Sequence, residues 1–269
     1  MNADRQDGRR ILTSALAGLG PRESRREETT MPFQPVDSRR LYEQVADQIG
    51  GLVRSGEFKA GQRLPAERDL AKMLAVSRPV VREAMIALEI GGLIEVRTGS
   101  GAFVREKPAE QGETVNTGQS PSDILNARML IEGEIAALAA SGSTSDDLAA
   151  IAAEVDDMVR NHEAGRPWHT ADLGFHLAIA RATGNAALTA VVERLWQEQH
   201  APVFALLSER VRLSENWAAT LSGHRMILDA IHNGRRKAAR DAMRAHLHQV
   251  LEIMTGVGNE VGVASNLPG

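Results

Sequence analysis

Asp172 and His176 stand four residues apart in "ADLGFHLAIARATGN", and two more histidines follow, His224 in "HRMILDAI" and His246 in "DAMRAHLHQV". Residues four apart share one face of an α-helix, so the first pair can aim a carboxylate and an imidazole at one point. The other two flank a turn at Asn233-Gly234. In an antiparallel helical hairpin rising about 1.5 Å per residue they stand roughly 14 and 18 Å from that turn, at similar heights. Three imidazoles and a carboxylate form a divalent-metal set suited to zinc, or to nickel or manganese where the coordination opens up. Asp-x-x-x-His alone is also a common surface pair, and a buried polar cluster or scattered surface histidines would leave the same trace. His162, His169, His200 and His232 are assigned to the scattered class. His248 competes with His246, but positions two apart on a helix point about 200° away from each other, so only one faces the site.

A second kind of chemistry is concentrated in "VSRPVVREAMIALEIGGLIEVRTGSGAFV", Val76 to Val104. Arg78 and Arg82 lie one helical turn apart, away from a Val80, Ala84, Leu88 stripe. Arginine makes bidentate contacts with guanine edges or phosphate. Ser77 is a good N-cap and can donate to a phosphate. Arg68, near the start of the preceding helix, can reach the same groove or backbone. Gly99 and Gly101 would let a hairpin tip approach a duplex closely.

The elements that must position these groups follow from periodicity and punctuation. Leu41, Val45, Ile49 and Leu52 recur at helical spacing, and Gly56 ends that helix. "FKAGQRLP" reads as a turn or short strand. Pro65 opens a helix whose buried side is Leu70, Met73 and Leu74. A short turn at Ala75–Val76 leads to the arginine-bearing helix, which Gly91-Gly92 ends. "LIEVR" and "AFV" alternate as strands around the tight turn "TGSG". The order is helix, helix, turn, helix, hairpin, which is the logic of a helix-turn-helix whose second helix enters the major groove.

"EKPAEQGETVNTGQSP" is polar and Pro/Gly-containing, and reads as a linker over 106–121. From 122 to 255 the chain is Ala/Leu-rich, with breaks at "SGSTSDD", "HEAGRPW", "TGN" and "HNG" and an N-cap at Ser145. Six or seven helices in an all-α bundle are expected there. The segments 1–30 and 256–269 read as disordered tails, leaving 31–105 as the DNA-reading domain. Met31 is a second candidate for the first residue.

Bulk composition agrees with two jobs. Residues 31–107 carry twelve Lys/Arg against ten Asp/Glu, and 108–269 carry thirteen against twenty. The front excess is too small to argue for nucleic acid by itself, so the placement of the arginines carries that reading. Aromatics at 3% disfavour base-stacking RNA platforms. Cysteine is absent, which removes disulfides and thiolate metal sites and fits a cytoplasmic protein. No apolar run is long enough to span a membrane, and no secretory signal is evident.

The stretch from Leu41 to Val104 closely resembles the winged helix-turn-helix of the GntR family of bacterial transcription regulators. The resemblance implies that Arg68, Ser77, Arg78, Arg82 and a wing at Gly101 engage operator DNA, and that Pro79 helps set the operator sequence. "NARMLIEGEIAALAA", "DLGFHLAIARATGN", "GHRMILDAI" and "AMRAHL" resemble the FCD ligand-binding domain of the FadR-like branch. That domain implies metal ligation by Asp172, His176, His224 and His246, with Arg128 gripping a small carboxylate effector. Asn185 would border the pocket, or else cap a helix. Within the branch, the motifs are most like those of repressors of hexuronate utilisation. The resulting expectation is a mainly α chain: an N-terminal winged helix-turn-helix with a small β-hairpin wing, then a C-terminal all-α FCD bundle. It would act as a repressor released from DNA by a sugar acid. One small reading head offers too little area for specific affinity, so a homodimer on a palindromic operator is expected. Two other readings compete: a metal-dependent hydrolase or isomerase with an accessory DNA-binding domain, and an architectural DNA binder whose metal only braces the bundle. No glutamate stands at an evident general-base spacing, since Glu132 and Glu134 could equally face solvent.

Overall fold

The computed structural model describes residues 40–97, 99–107, 117–210 and 216–256. The expected tails, apart from Gly256, and 108–116 of the expected linker lie outside the described residues. The fold is mainly helical. Helices α1 (Leu41–Arg54), α2 (Glu67–Leu74) and α3 (Arg78–Ile90) precede strands β1 (Ile94–Arg97) and β2 (Gly101–Val104). Seven helices follow: α4 (Pro121–Gly142), α5 (Ser145–Glu163), α6 (His169–Arg181), α7 (Ala186–Glu198), α8 (Pro202–Arg210), α9 (Trp217–His232) and α10 (Arg236–Thr255). No described helix is long and apolar enough to cross a membrane.

The buried faces keep Val45, Ile49, Leu70, Ala84 and Leu88 of the expected stripes and differ from them at other positions. In α1, Tyr42, Val45, Ile49 and Val53 are buried, while Leu41 and Leu52 are 51% and 39% exposed. A tyrosine can lead that face because its hydroxyl has partners: it donates to the Gly118 carbonyl at 2.6 Å and lies 2.7 Å from Thr117 Oγ1. In α2, Leu70 and Ala71 are buried and Met73 is exposed. Ala75 then takes the left-handed conformation, φ 54°, that turns the chain sharply into α3. In α3 the fully buried side is Val81, Ala84, Met85 and Leu88, and Val80 is only partly buried. Ser77 occupies the N-cap position, but its side chain makes no cap hydrogen bond. The N-cap of α5 is Thr144 rather than Ser145; it forms a reciprocal capping box with Asp147. A break missed in the sequence falls at Gln199–Ala201, where Pro202 opens α8.

The two strands pair antiparallel, with Ile94 opposite Val104 and Arg97 opposite Gly101. "FKAGQRLP" adds a third edge: Leu64 N–H donates to Ala102 O, Val104 N–H to Gln62 O, and Arg63 bridges Phe103.

The expected separation of a reading head from the helical domain is not what the packing shows. One apolar core joins α4, α5, α6, α7, α9 and α10. The other holds the helix-turn-helix and wing, and also Ile124 and Leu125 of α4, Val203, Phe204 and Leu207 of α8, and Met254 of α10. Thr117 and Ser120, at the end of the expected linker, are buried. Thr117 O accepts from Val203 N–H at the open start of α8. Glu83 on α3 accepts from Ser122 N–H at 3.0 Å, and Glu89 pairs with Arg210. Apolar burial and satisfied helix ends thus fix α3 directly on the helical domain.

Tyr42→Phe should destabilise the protein by about 1–3 kcal/mol, because it removes the donor to a buried carbonyl. Urea unfolding of both proteins measures this, and equal midpoints would show that the Tyr42 hydroxyl does not hold the two segments together.

Candidate metal centre and nucleic-acid interface

Helices α6, α9 and α10 bring the four sequence-predicted ligands together. One ligand atom from each of Asp172, His176, His224 and His246 lies within 4.8 Å of every other. The three histidines are buried, and Phe175 meets His176 and His224 edge-on. Gly223 on α9 makes the approach of α10 possible: a Cβ there would lie 2.6 Å from His246 Nδ1.

The surroundings orient the rings. His176 Nδ1 donates to Glu132 Oε2 at 2.5 Å, which leaves Nε2 turned to Asp172 Oδ1 at 3.7 Å. His224 Nδ1 donates to Thr220 O at 2.8 Å, and its Nε2 stands 2.8 Å from Asp172 Oδ1. A neutral imidazole has one N–H, yet His224 faces a carbonyl on one side and a carboxylate on the other. Either a second proton or a shared cation must sit between Nε2 and Asp172. Ligands about 2.1 Å from a tetrahedral ion stand roughly 3.4 Å apart, and the 2.8 and 3.7 Å separations bracket that value. The donor set therefore fits a divalent ion.

Glu132 is the residue the sequence reading missed. It is 1% exposed and pairs with Arg128 at 2.6 Å as well as with His176. Burial pushes its carboxyl up, but Arg128 and His176 outweigh burial and hold it at about 2. Burial opposes ionisation of Asp172 too, and the histidines around it prevail, so it also lies well below the usual carboxylate range. His176 and His246 are held below the ordinary histidine value by burial, which leaves them neutral and fit to ligate. The available signal was the spacing of Arg128 and Glu132, one helical turn apart on α4. Glu134, by contrast, is on the surface with Arg240 and Arg244.

A cavity of about 570 Å³ opens beside this cluster, with Arg128, Asp172, His176, His246, Trp196 and Phe204 among its lining residues. Arg128 is 3% exposed and stacks over the Trp196 ring at 4.3 Å. His169 and His200, assigned to scattered surface positions, also line the cavity. His248 is exposed beside Glu252. Asn185 is not among the lining residues: its carboxamide accepts from Ala187 and Leu188 N–H and caps α7. The cap accounts for it, and its place at the pocket is corrected.

On the nucleic-acid side the expected residues are not equally presented. Arg68 is exposed, its side chain 70% accessible beside Asp69. Ser77 is exposed, and Arg78 and Pro79 are half-buried. Arg82 is not turned outward as the helical spacing implied. Its Nε lies 3.2 and 3.3 Å from the two Glu67 oxygens, and its Nη1 donates to Met254 O at 3.4 Å, at the end of α10. A carboxylate and an open helix C-terminus both attract a guanidinium, which explains the turn inward. Gly101 has φ 103° and lies under the Arg63 side chain.

Residues 41–104 match the family described as "Bacterial regulatory proteins, gntR family", and residues 123–249 match "FCD domain". The chain belongs to the GntR family. Among its relatives, the "Exu regulon transcriptional regulator" of Escherichia coli (strain K12) is 38% identical over 222 residues, covering 79% of this chain and 83% of that protein. The "Uxu operon transcriptional regulator" of the same organism is 34% identical over 232 residues, covering 83% and 90%. Among solved structures, "Streptococcus agalactiae GntR" is 30% identical, covers 78% of this chain and 98% of that one, and has a TM-score of 0.41. This GntR protein is accordingly a DNA-binding transcriptional regulator, and the enzyme reading of its metal set is set aside.

Two outcomes test the centre. Glu132→Gln should weaken divalent-metal binding about 10- to 100-fold, because His176 loses the partner that orients it; calorimetric titration with zinc measures the change. In chelator-treated protein, stability should be greatest above about pH 6.5 and fall as the pH drops toward 5. The unfolded chain takes up protons on His176 and His246 near pH 6.5, whereas their depressed folded values delay uptake. Urea unfolding at pH 7.5 and 5.5 checks this, and His246→Gln should flatten the dependence.

Proposed function

We propose that this regulator is a repressor released from operator DNA by a sugar acid of the hexuronate class. The observation that carries the reading is the Asp172, His176, His224 and His246 cluster, three of whose members line a cavity together with Arg128. A bound divalent ion, zinc or else nickel or manganese, would supply a Lewis-acid position for one end of an effector carboxylate. Arg128 supplies the complementary charge. Its Nε and Nη2 are directed at Glu132, and the rest of its fork serves the cavity. The hexuronate class rests on the motif resemblance and is supported by the Exu and Uxu regulators among the relatives. Arg68, Ser77, Arg78 and Pro79, with Arg82 once it is freed from Glu67 and the Met254 carbonyl, and the wing built on Gly101, form the operator-reading set, presented by each subunit of a homodimer to one half of a palindrome.

Release follows from shared walls. Phe204 of α8 lines the cavity and belongs to the core around α3, while Arg210 at the other end of α8 holds Glu89 on α3. His246 and Met254 lie on the same helix, α10, and the Met254 carbonyl holds Arg82. An effector that favours one setting of α8 and α10 shifts the availability of Arg82 by its differential affinity.

An operator gel shift titrated with sugar acids and short hydroxy acids tests the proposal. A hexuronate should release DNA from the wild type. Arg128→Ala should keep its metal and lose the response; His246→Ala should lose both. Release of DNA from metal-free His246→Ala at unchanged effector concentration would make the ion structural and the effector site wrong.

A further inference from the structure

The wing carries a positive charge that the sequence motifs did not single out. Along β2 the sides alternate: Ala102 and Val104 are buried, while Gly101 and Phe103 lie on the outer face. The edge segment alternates in step. Leu64 is 3% exposed and joins the core, and Arg63 is exposed and bridges Phe103. Arg63 therefore lies across the outer face, over Gly101. A Cβ at Gly101 would stand 2.9 Å from Arg63 Nε and 3.2 Å from Nη2. Glycine is needed there twice, for φ 103° and for this clearance.

The neighbouring cations are already engaged. Arg97, opposite Gly101 on β1, is bound to Glu95 at 3.1 and 3.3 Å and stacks 4.7 Å over the Phe103 ring. Arg105 donates to Ile94 O. Arg63 has no carboxylate partner among the described residues. Its guanidinium is thus an uncompensated charge at the base of the wing tip, on an edge segment bridged to the two-stranded hairpin, with its position set by the missing side chain beneath it.

We propose that Arg63 is the DNA-backbone contact of the wing, and that Gly101 acts by cradling Arg63 rather than by touching DNA itself. A guanidinium held in this way supplies a fork of donors to phosphate oxygens and no base information. This inference depends on the DNA-binding fold and is independent of the effector reading.

The test is the salt dependence of binding, followed by fluorescence anisotropy with the full-length protein on operator and on unrelated duplex. Arg63→Ala should weaken both to a similar factor and reduce the slope of log affinity against log salt by about 0.9 for each reading head. Arg63→Gln, which keeps the packing over Gly101, should lose the same slope; Arg63→Lys should retain it. Gly101→Ala should lower the slope as Arg63→Ala does, and the double variant should lower it no further. An unchanged slope in both Arg63→Ala and Arg63→Gln would overturn the assignment. So would a loss confined to the operator, which marks a base contact, or a further drop in the double variant, which marks Gly101 itself as the contact.

Discussion

A buried carboxylate sets the terms for the helical domain. Ionised Glu132 is 1% exposed on α4, and an unpaired charge there would cost several kcal/mol. Arg128 answers it from the previous helical turn and His176 from α6. Those two contacts fix more than a charge balance. Arg128 is pinned against Trp196, which ties α4 to α7. His176 must keep its proton on Nδ1, so Nε2 faces Asp172 and the cavity. The candidate metal set is therefore organised from a residue outside it, since a carboxylate that takes a histidine's other N–H fixes how the ring is turned.

The same economy of shared elements governs α3. A helix that reads DNA needs one face in its own small core and one face free. Here α3 is also held on a further side, by Ser122 at the start of α4, by Arg210 on α8 and by the end of α10. A single apolar core runs through that contact. Arg82 is consequently bound within the protein, to Glu67 and Met254 O. The charge that makes arginine useful on a phosphate backbone also makes it a good partner for a carboxylate and a helix C-terminus, so the two uses of Arg82 exclude each other. Helices α8 and α10 each touch both the cavity and α3.

Much of this was legible in the chain as written. Helical periodicity, Ser77 at a helix start, the glycines at 91 and 92 and the strand alternation are local signals. They placed the helix-turn-helix and wing where the structure has them. Asp172 and His176 were legible for the same reason, being one turn apart on a single helix, and His224 and His246 because a hairpin fixes their heights. Faces were less legible. Both Leu41 and Tyr42 can start an apolar stripe on α1, and the choice fell to Tyr42 because its hydroxyl donates to the Gly118 carbonyl and pairs with the Thr117 hydroxyl, 76 and 75 residues away. Asn185 was ambiguous between pocket and cap until the backbone of α7 claimed its carboxamide.

By itself, then, the sequence determined most of the elements and their order and marked four residues that the fold brings together, since backbone hydrogen bonding and capping act within a few residues. The tertiary structure alone decided which charges are spent inside the protein. Glu132 meets His176 across 44 residues and Arg82 meets Met254 across 172. Such pairings depend on which helix faces come together, and burial strengthens them by removing the water that would otherwise screen each charge.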